Sequence, residues 1–185
     1  MYCVKFENAI KPYFGFFRPY NAVRDNETYS LTYLPPSVLN GIENSLDIPL
    51  GSIVRHKLTF NKGKMDKELV KTTYGTKWID KKPYISTIEG GLSGFHIKHA
   101  LINPVMVFGF GSREAAEVAY NSTIYAGQME YMIYPSGKIF ELTEEEFDAL
   151  PGVETFESDE NGVDCGFNRF KNNEPMFVDI NRVEW

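Results

Sequence analysis

The residues best suited to chemistry lie in the segment QMEYMIY, where Gln128 and Glu130 are separated by one position. The alternation of this segment predicts a strand from Gln128 to Tyr134, and residues two apart on a strand face the same side. Gln128 and Glu130 would then lie side by side, with Met129 and Tyr131 facing the core. A carboxylate held in this way can stabilise positive charge that develops on a substrate. Any half-buried strand shows the same alternation, so the pair alone does not define a site.

Two further polar features occur on strands predicted earlier in the chain. Arg55 lies within SIVRHKLTF, and the planar guanidinium of arginine suits phosphate groups. Ser86 and Thr87 end the predicted strand YISTI, and their hydroxyls can donate and accept hydrogen bonds. Neither feature identifies a function by itself.

The sequence gives little support for a metal site or for a nucleophilic cysteine. His96 and His99 are three residues apart, but no third ligand follows at a suitable spacing, so no metal is predicted. Cys3 and Cys165 are far apart and lack neighbours that would activate a thiol. They give no disulfide framework, which favours a reducing compartment. The glycine pair at residues 109–111 lacks the third glycine of a dinucleotide fingerprint and is interpreted as an ordinary turn.

Composition and charge narrow the class of protein. The 185 residues fit one compact domain, and an aromatic content of 15% favours a β-rich fold. With 19 basic and 25 acidic residues the net charge is −6, and no broad basic face for duplex nucleic acid is evident. A local basic patch at Lys62, Lys64, Lys67 and Lys71 stays open as an alternative. The sequence shows no signal-peptide pattern and no stretch of about 18 apolar residues, so we expect a cytoplasmic protein without membrane contact.

The hydrophobic pattern predicts an α+β fold built around antiparallel sheets. A helix is predicted to start at Ser37 as its N-cap and to end before Pro49. A second, acidic helix is predicted from Glu144 to Leu150, and the lysine-rich segment from Lys62 to Lys82 is predicted as a short helix or a solvated loop. The strands predicted are Ser52 to Phe60, Tyr84 to Ile88, Val105 to Phe110, Gln128 to Tyr134, Lys138 to Leu142 and Met176 to Ile180, with a hairpin turn at Pro135-Ser136-Gly137.

Taken in chain order, three segments resemble the motifs of the mono-ADP-ribosyltransferases. They are VRHKLTF with its strand arginine, YISTI with an aromatic-x-Ser-Thr pattern, and YAGQMEYMIYPSGKIFEL with a turn followed by Gln-x-Glu. The third segment is the most specific and is most similar to the exoenzymes of the Gln-x-Glu type and to phage and bacterial members of the family. The resemblance spans roughly residues 35–142, by pattern rather than close identity. One departure is Ile88, which stands where the family has a second serine.

The resemblance implies a single domain, residues 1–185, with two packed, mainly antiparallel sheets around an NAD cleft. Glu130 would stabilise the oxocarbenium-like ribose as the bond to nicotinamide breaks, and Arg55 would bind the NAD phosphates. Ser86 would hold Glu130 or the nicotinamide ribose, and Thr87 would support that strand. NAD is then a co-substrate, and no metal is required.

The remaining roles concern the acceptor and the stacking aromatic. The resemblance implies that Gln128 orients the acceptor and that Tyr125, on the preceding turn, contacts it. Phe95 or Trp78 would stack on nicotinamide. Relatives with glutamine at this position modify asparagine or, in some cases, a guanine base, and the acidic balance of the chain favours a protein acceptor.

The sequence therefore predicts a mono-ADP-ribosyltransferase that transfers ADP-ribose from NAD to a macromolecular acceptor, in the manner of a toxin or effector. Two alternatives stay open. The chain could be a non-enzymatic acidic α+β interaction or accessory protein, in which case the three motifs are coincidental strand residues. It could also be an NAD glycohydrolase, which needs the same arginine, serine and glutamate but no acceptor.

Overall fold

The computed structural model describes residues 1–17, 27–61, 65–72, 74–79, 82–87 and 94–183, with residues 27, 65–72, 74–79, 82–87 and 94–97 described by their backbone. Three helices occur in this part of the chain: α1 (Pro36–Ser45), α2 (Arg113–Tyr120) and α3 (Glu144–Asp148). The strands are β1 (Tyr2–Glu7), β2 (Phe14–Gly15), β3 (Glu27–Tyr29), β4 (Ile53–Thr59), β5 (Met65–Thr72), β6 (Tyr74–Ile79), β7 (Lys82–Thr87), β8 (Gly94–Ile102), β9 (Val105–Phe110), β10 (Ile124–Tyr125), β11 (Met132–Glu141), β12 (Gly152–Ser158), β13 (Val163–Asn168) and β14 (Glu174–Val183).

An eight-stranded antiparallel sheet organises the molecule, in the order β10-β11-β1-β9-β4-β12-β14-β13. Four adjacent strands, in the order β11-β1-β9-β4, are connected in the chain by two helices. Helix α1 lies between β1 and β4, and α2 lies between β9 and β11, so each helix joins two strands that are separated in the sheet by a third. This is the split β-α-β arrangement, repeated twice. Strands β12 to β14 extend the sheet beyond β4, and β5 to β8 form an insertion between β4 and β9.

The insertion builds two smaller sheets. Strand β8 pairs antiparallel with β2 and β5 and parallel with β3, while β6 and β7 pair with each other. The prediction of a short helix or a solvated loop from Lys62 to Lys82 is wrong where the structure describes this segment. Its eight-residue pairing with β8 is a non-local interaction, and such pairing can impose a strand on a sequence with weak strand propensity.

The core lies between one face of the large sheet and the two longer helices. Val4 and Phe6 of β1 pair with Phe108 and Met106 of β9, and all four are fully buried. Leu101 of β8 joins the same cluster, so the insertion is anchored to the main core. The apolar run VMVFGF forms β9 because a central strand contacts neighbours on both sides.

Local end signals explain where the helices begin. Ser112 accepts a hydrogen bond from the Ala115 amide at the start of α2. Thr143 and Glu146 form a reciprocal capping box at the start of α3. Helix α1 begins at Pro36, one residue before the predicted N-cap, because proline suits the first position of a helix. None of the helices in the described ranges is long and apolar enough to cross a membrane.

The prediction of a strand from Gln128 to Tyr134 is wrong over its first half. Gly127 has a positive φ of 92°, and the Tyr131 amide donates to the Gln128 carbonyl at 3.0 Å, which makes a turn. Met129 is consequently 76% exposed and does not face the core. Strand β11 begins only at Met132.

The predicted hairpin at residues 135–137 is also wrong. Strand β11 continues through Pro135 to Glu141 and pairs with β1 on both sides of a bulge. Gly137 has a φ of 81°, which supplies the irregular conformation within the bulge. Pro135 itself lies before the bulge, opposite Phe6 in the regular part of the pairing with β1.

Other predictions are confirmed. The fold is α+β with mainly antiparallel sheets and few short helices. The strand predicted from Ser52 to Phe60 contains β4, and the predicted acidic helix contains α3. The strand from Val105 to Phe110 is found with the same bounds. Strand β14 contains the predicted segment from Met176 to Ile180 but is longer at both ends.

Candidate functional site

Arg55 lies on β4 and points away from the main core, towards α3. Its Nε and a terminal nitrogen donate to the two carboxylate oxygens of Glu154 at 2.6 and 2.8 Å. The other donors reach Glu144 and Asp148 of α3, and the guanidinium carbon lies 4.9 Å from the centre of the Phe147 ring. Hydrogen bonding to Glu154 is the largest cause that raises the pKa of Arg55. The side chain is 14% exposed, so this guanidinium is held by protein carboxylates rather than open to a phosphate.

Beneath Arg55 the ion pairs continue into the protein. Lys57 and Glu154 are each 1% exposed, and the Lys57 Nζ lies 3.5 Å from a Glu154 oxygen. The attraction between Lys57 and Glu154 offsets part of the desolvation cost of burying each charge, because an unpaired charge in a low-dielectric interior is strongly unfavourable. We call Arg55, Lys57, Glu144, Asp148 and Glu154 the carboxylate cluster. Its contacts explain how α3 is fixed to the sheet.

The Gln-x-Glu turn lies elsewhere. Lys98 of β8 donates to Gln128 Oε1 at 2.9 Å, and its Nζ lies 3.5 Å from Glu130 Oε1. The Lys98 side chain is 18% exposed and that of Glu130 is 52% exposed. The structure therefore brings Gln128 and Glu130 together through a shared lysine, on a turn that is open to solvent.

The predicted catalytic set is not assembled as a whole. Arg55 faces α3, whereas the partner of Glu130 belongs to the smaller sheet. Strands β4 and β11 are separated by β9 and β1, which is three strand spacings or about 14 Å. Ser86 and Thr87 lie at the end of β7, opposite residues 75 and 74 of β6, and their side chains are outside the described part of the chain.

Three other sequence-based predictions also fall outside the described residues or side chains. Ile88 lies in an undescribed range. Phe95 and Trp78, the two candidates for stacking on nicotinamide, lie on β8 and β6, which are described there by their backbone.

Tyr125 lines a cleft of about 420 Å³ that the sequence did not reveal. One wall is α1, where Ser37 and Gly41 leave room because their side chains are small. The other walls come from the turn after β10 and from the end of β13, where Phe167 and Arg169 lie. Strands β10 and β13 are the two outermost strands of the large sheet. The sheet therefore curves around α1 until its two edges face each other across this opening, which we call the aromatic cleft.

Two aromatic side chains of the aromatic cleft are partly exposed. Tyr125 is 37% exposed and Phe167 is 54% exposed. The Arg169 guanidinium lies 4.7 Å from the centre of the Phe170 ring, and no carboxylate lies within ion-pair distance of it in the part of the chain that the structure describes. Aromatic rings and an uncompensated guanidinium suit a ligand that is both planar and negatively charged.

Gly127 positions the Tyr125 turn against the rest of the protein. A Cβ at this residue would collide with the Phe16 backbone carbonyl, and its φ of 92° disfavours side chains. The Ala126 carbonyl accepts from the Phe16 amide at 2.9 Å. The turn is thus fixed on one side to the β2 segment while its other side lines the aromatic cleft.

Sequence reasoning missed Phe167 and Arg169 for a physical reason. The segment GFNRF contains two phenylalanines and one arginine, but it has no recognised motif spacing. Its relation to Tyr125 depends on curvature of the sheet. No group of three His, Cys, Asp or Glu side chains that could hold a metal occurs among the described residues.

No family model matches this chain, and no curated protein is significantly similar to it.

Proposed function

We propose that this protein binds single-stranded nucleic acid, with bases in the aromatic cleft and a phosphate at Arg169. The observation that carries the proposal is the position of the Arg169 guanidinium, which has no ion pair among the described residues, at the same cleft as two exposed aromatic rings. Protein sites for single strands combine these two elements, because every base has a face that can stack and every nucleotide carries a charge.

The size and polarity of the aromatic cleft agree with this ligand. A volume of about 420 Å³ lies within the ordinary range for ligand sites. Ser37 and Ser45 line the helical wall, and a hydroxyl can hydrogen-bond the edge of a base or a sugar. The wide mouth leaves room for the strand to continue on either side.

The charges of the chain are unevenly distributed, which answers the objection from its acidic net charge. The insertion between β4 and β9, residues 60–104, carries eight lysines and four acidic residues, whereas the rest of the chain carries 11 basic and 21 acidic residues. A segment of this composition can supply the electrostatic part of nucleic-acid binding. The open alternative of a basic patch at Lys62, Lys64, Lys67 and Lys71 belongs to this segment.

Lys98 connects the insertion to the aromatic cleft. It bonds Gln128 and pairs with Glu130 on the turn whose neighbouring residues, Tyr125 and Gly127, line the cleft. The base of the basic insertion therefore borders the proposed site.

Binding is tested with fluorescently labelled single strands of about 12 nucleotides, by anisotropy at about 50 and 200 mM salt. We expect Arg169→Ala to weaken binding by at least about tenfold and Tyr125→Ala by about 5-fold to 100-fold. The matched control is Arg113→Ala, an exposed arginine of α2 that pairs with Glu117. Binding that is absent at low salt, or that is unchanged by Arg169→Ala, would contradict the proposal.

The second candidate is the mono-ADP-ribosyltransferase that the sequence resembles, with NAD as the nucleotide. The observation that favours it is the exposed carboxylate of Glu130 beside Gln128, on the turn that lines the aromatic cleft. In this case Arg169 rather than Arg55 would meet the NAD phosphates, because Arg55 is held by three carboxylates.

The transferase is tested by incubating the protein with labelled NAD and a cell extract. Glu130→Gln should reduce nicotinamide release by about 10²–10³-fold, since the carboxylate charge is lost. Glu114→Gln, at an exposed position of α2, is the matched control. Label on a macromolecule would support transfer, and nicotinamide release without labelled product would support a glycohydrolase. If NAD is not turned over, both enzyme hypotheses are contradicted, and the hypothesis of a non-enzymatic interaction protein is left.

A further inference from the structure

The dipeptide Asn-Gly occurs twice in the chain, at residues 40–41 and 161–162, in two different structural settings. Asparagine is a thermolabile residue, because the main-chain nitrogen of the next residue can attack its side-chain amide. Glycine favours the attack, since it has no Cβ to shield the nitrogen or to restrict the backbone. The surroundings of each pair therefore decide whether the reaction takes place in the folded chain.

The first pair lies inside helix α1. Asn40 is 9% exposed. In an α-helix the amide of each residue donates to the carbonyl four positions earlier, so the Gly41 nitrogen is held away from the Asn40 side chain. The attack requires α1 to open, and α1 packs on the main core through Ile42. Opening a buried helix costs more free energy than moving an exposed loop, so the fold protects this pair.

The second pair lies in the loop of residues 159–162, between β12 and β13. Asn161 is exposed, and its main-chain nitrogen and Nδ2 donate to the Asp159 carboxylate at 2.9 and 3.0 Å. The Gly162 amide donates to the Asp159 carbonyl at 3.1 Å. All three bonds end on Asp159, within the loop itself. Movement of a few exposed residues is enough to free the Gly162 nitrogen.

The strand order explains why a glycine follows Asn161. Strands β12 and β13 lie on opposite sides of β14, so the loop that joins them crosses β14. A Cβ at Gly162 would lie 2.9 Å from the Val178 carbonyl oxygen of β14 and 2.7 Å from the Ser158 Cβ. The first of these atoms belongs to the backbone of a paired strand rather than to a flexible side chain. The crossing thus requires glycine, and the labile pair is a consequence of the fold.

We propose that Asn161 is a site of spontaneous deamidation, with water as the co-reactant. The Gly162 nitrogen attacks Asn161 Cγ, and the Cγ–Nδ2 bond breaks as the new bond forms. Nδ2 leaves as ammonia and takes the proton that the Gly162 nitrogen loses. Water then opens the resulting succinimide ring at one of its carbonyl carbons, which gives aspartate or isoaspartate at position 161. The net change is the addition of water and the loss of ammonia.

The reaction changes both the charge and the geometry of the loop. The new carboxylate follows Asp159 and Glu160 directly in the chain, and neighbouring like charges repel each other. In isoaspartate the main chain runs through the former side chain, which lengthens the loop where it crosses β14. The hydrogen bond from Gly162 to Asp159 is then lost, and the start of β13 is held less firmly.

The test incubates the full-length folded chain in mildly alkaline buffer and follows both pairs by peptide mass spectrometry. We expect Asn161 to convert at least about tenfold faster than Asn40, because only the loop opens readily. In concentrated urea the two pairs should convert at similar rates, since the dipeptide is the same and the fold is removed. An intact Asn161, or equal conversion of Asn40 in the folded chain, would overturn the proposal.

A matched variant assigns the new charge to Asn161. Asn161→Gln keeps a side-chain amide but lengthens the side chain, so the attack would have to close a larger and less favourable ring. Ion-exchange chromatography should show an acidic form that accumulates in the unmodified chain and not in Asn161→Gln. Equal accumulation in both proteins would place the reaction at another amide and contradict the assignment.

Discussion

Arg55 and Arg169 show how surroundings decide what an arginine does. Arg55 meets Glu144, Asp148 and Glu154, and its side chain is 14% exposed. Arg169 stands over the Phe170 ring at an open cleft, with no carboxylate partner in the described ranges. The first has its charge balanced within the protein and stabilises the fold, whereas the second has no ion pair among the described residues and lies where a ligand can reach it. The sequence motif pointed to Arg55, and the tertiary structure points to Arg169.

Arg55→Ala should lower the free energy of unfolding more than the other substitutions predicted for these two regions. The substitution removes the closest partner of the buried Glu154 and leaves it only Lys57, at 3.5 Å, and breaking a buried pair typically costs about 3–5 kcal/mol of unfolding free energy. Chemical denaturation measures the loss, with Arg113→Ala as the exposed control. A midpoint equal to that of the control would show that the carboxylate cluster does not stabilise the fold.

A second effect concerns His56, which lies next to Arg55 on the opposite face of β4. Because its pKa is lowered to about 4 in the folded chain, the unfolded chain takes up a proton first as the pH falls below about 6.5. The free energy of unfolding should therefore fall between about pH 6.5 and pH 4, by up to about 3 kcal/mol from this group.

Denaturation at several pH values measures the His56 effect. The charged groups around the ring are Glu154, which favours its protonation, and Lys57 and Arg55, which oppose it. His56→Gln keeps an acceptor for Thr155 but cannot titrate, so its stability should depend less on pH in this window. An identical pH dependence in His56→Gln would refute the assignment.

A smaller effect is expected from the cap of α3, the helix that covers the carboxylate cluster. Thr143→Ala removes the hydroxyl that accepts from the Glu146 amide at 3.2 Å, and loss of such a cap costs about 1 kcal/mol. Thr143→Ser keeps the hydroxyl and should retain most of the stability. Equal losses in the two variants would show that the cap is not the cause.

The smallest effect on stability should come from Arg169→Ala. This exposed side chain has no ion pair within the described part of the chain, so the denaturation midpoint should not change. Its nucleic-acid affinity should fall at the same time. A large drop in the denaturation midpoint would show that Arg169, like Arg55, stabilises the fold.

The elements that were predicted correctly have local causes. Strand β9 follows from a continuous apolar run, and α3 follows from a threonine and a glutamate three residues apart. Segments whose state depends on distant partners were predicted wrongly. The lysine-rich strand β5 exists through pairing with β8, and Pro135 lies within a bulged strand because β1 pairs with it on both sides of the bulge.

The candidate site divides in the same way. Gln128, Glu130 and Tyr125 were singled out from the sequence, and the structure places them on one turn beside the aromatic cleft. Arg169 was missed because nothing in its neighbourhood distinguishes it from a surface arginine.

The sequence by itself determined the α+β class, the apolar strands and the start of α3, because hydrophobic period and capping act over a few residues. Only the tertiary structure decided which charges pair and where a ligand can enter. Arg55 and Glu154 are 99 positions apart, and the aromatic cleft joins the two opposite edges of one sheet. Such relations depend on strand order and on the curvature of the sheet, which are set by long-range packing rather than by the residues next to each site.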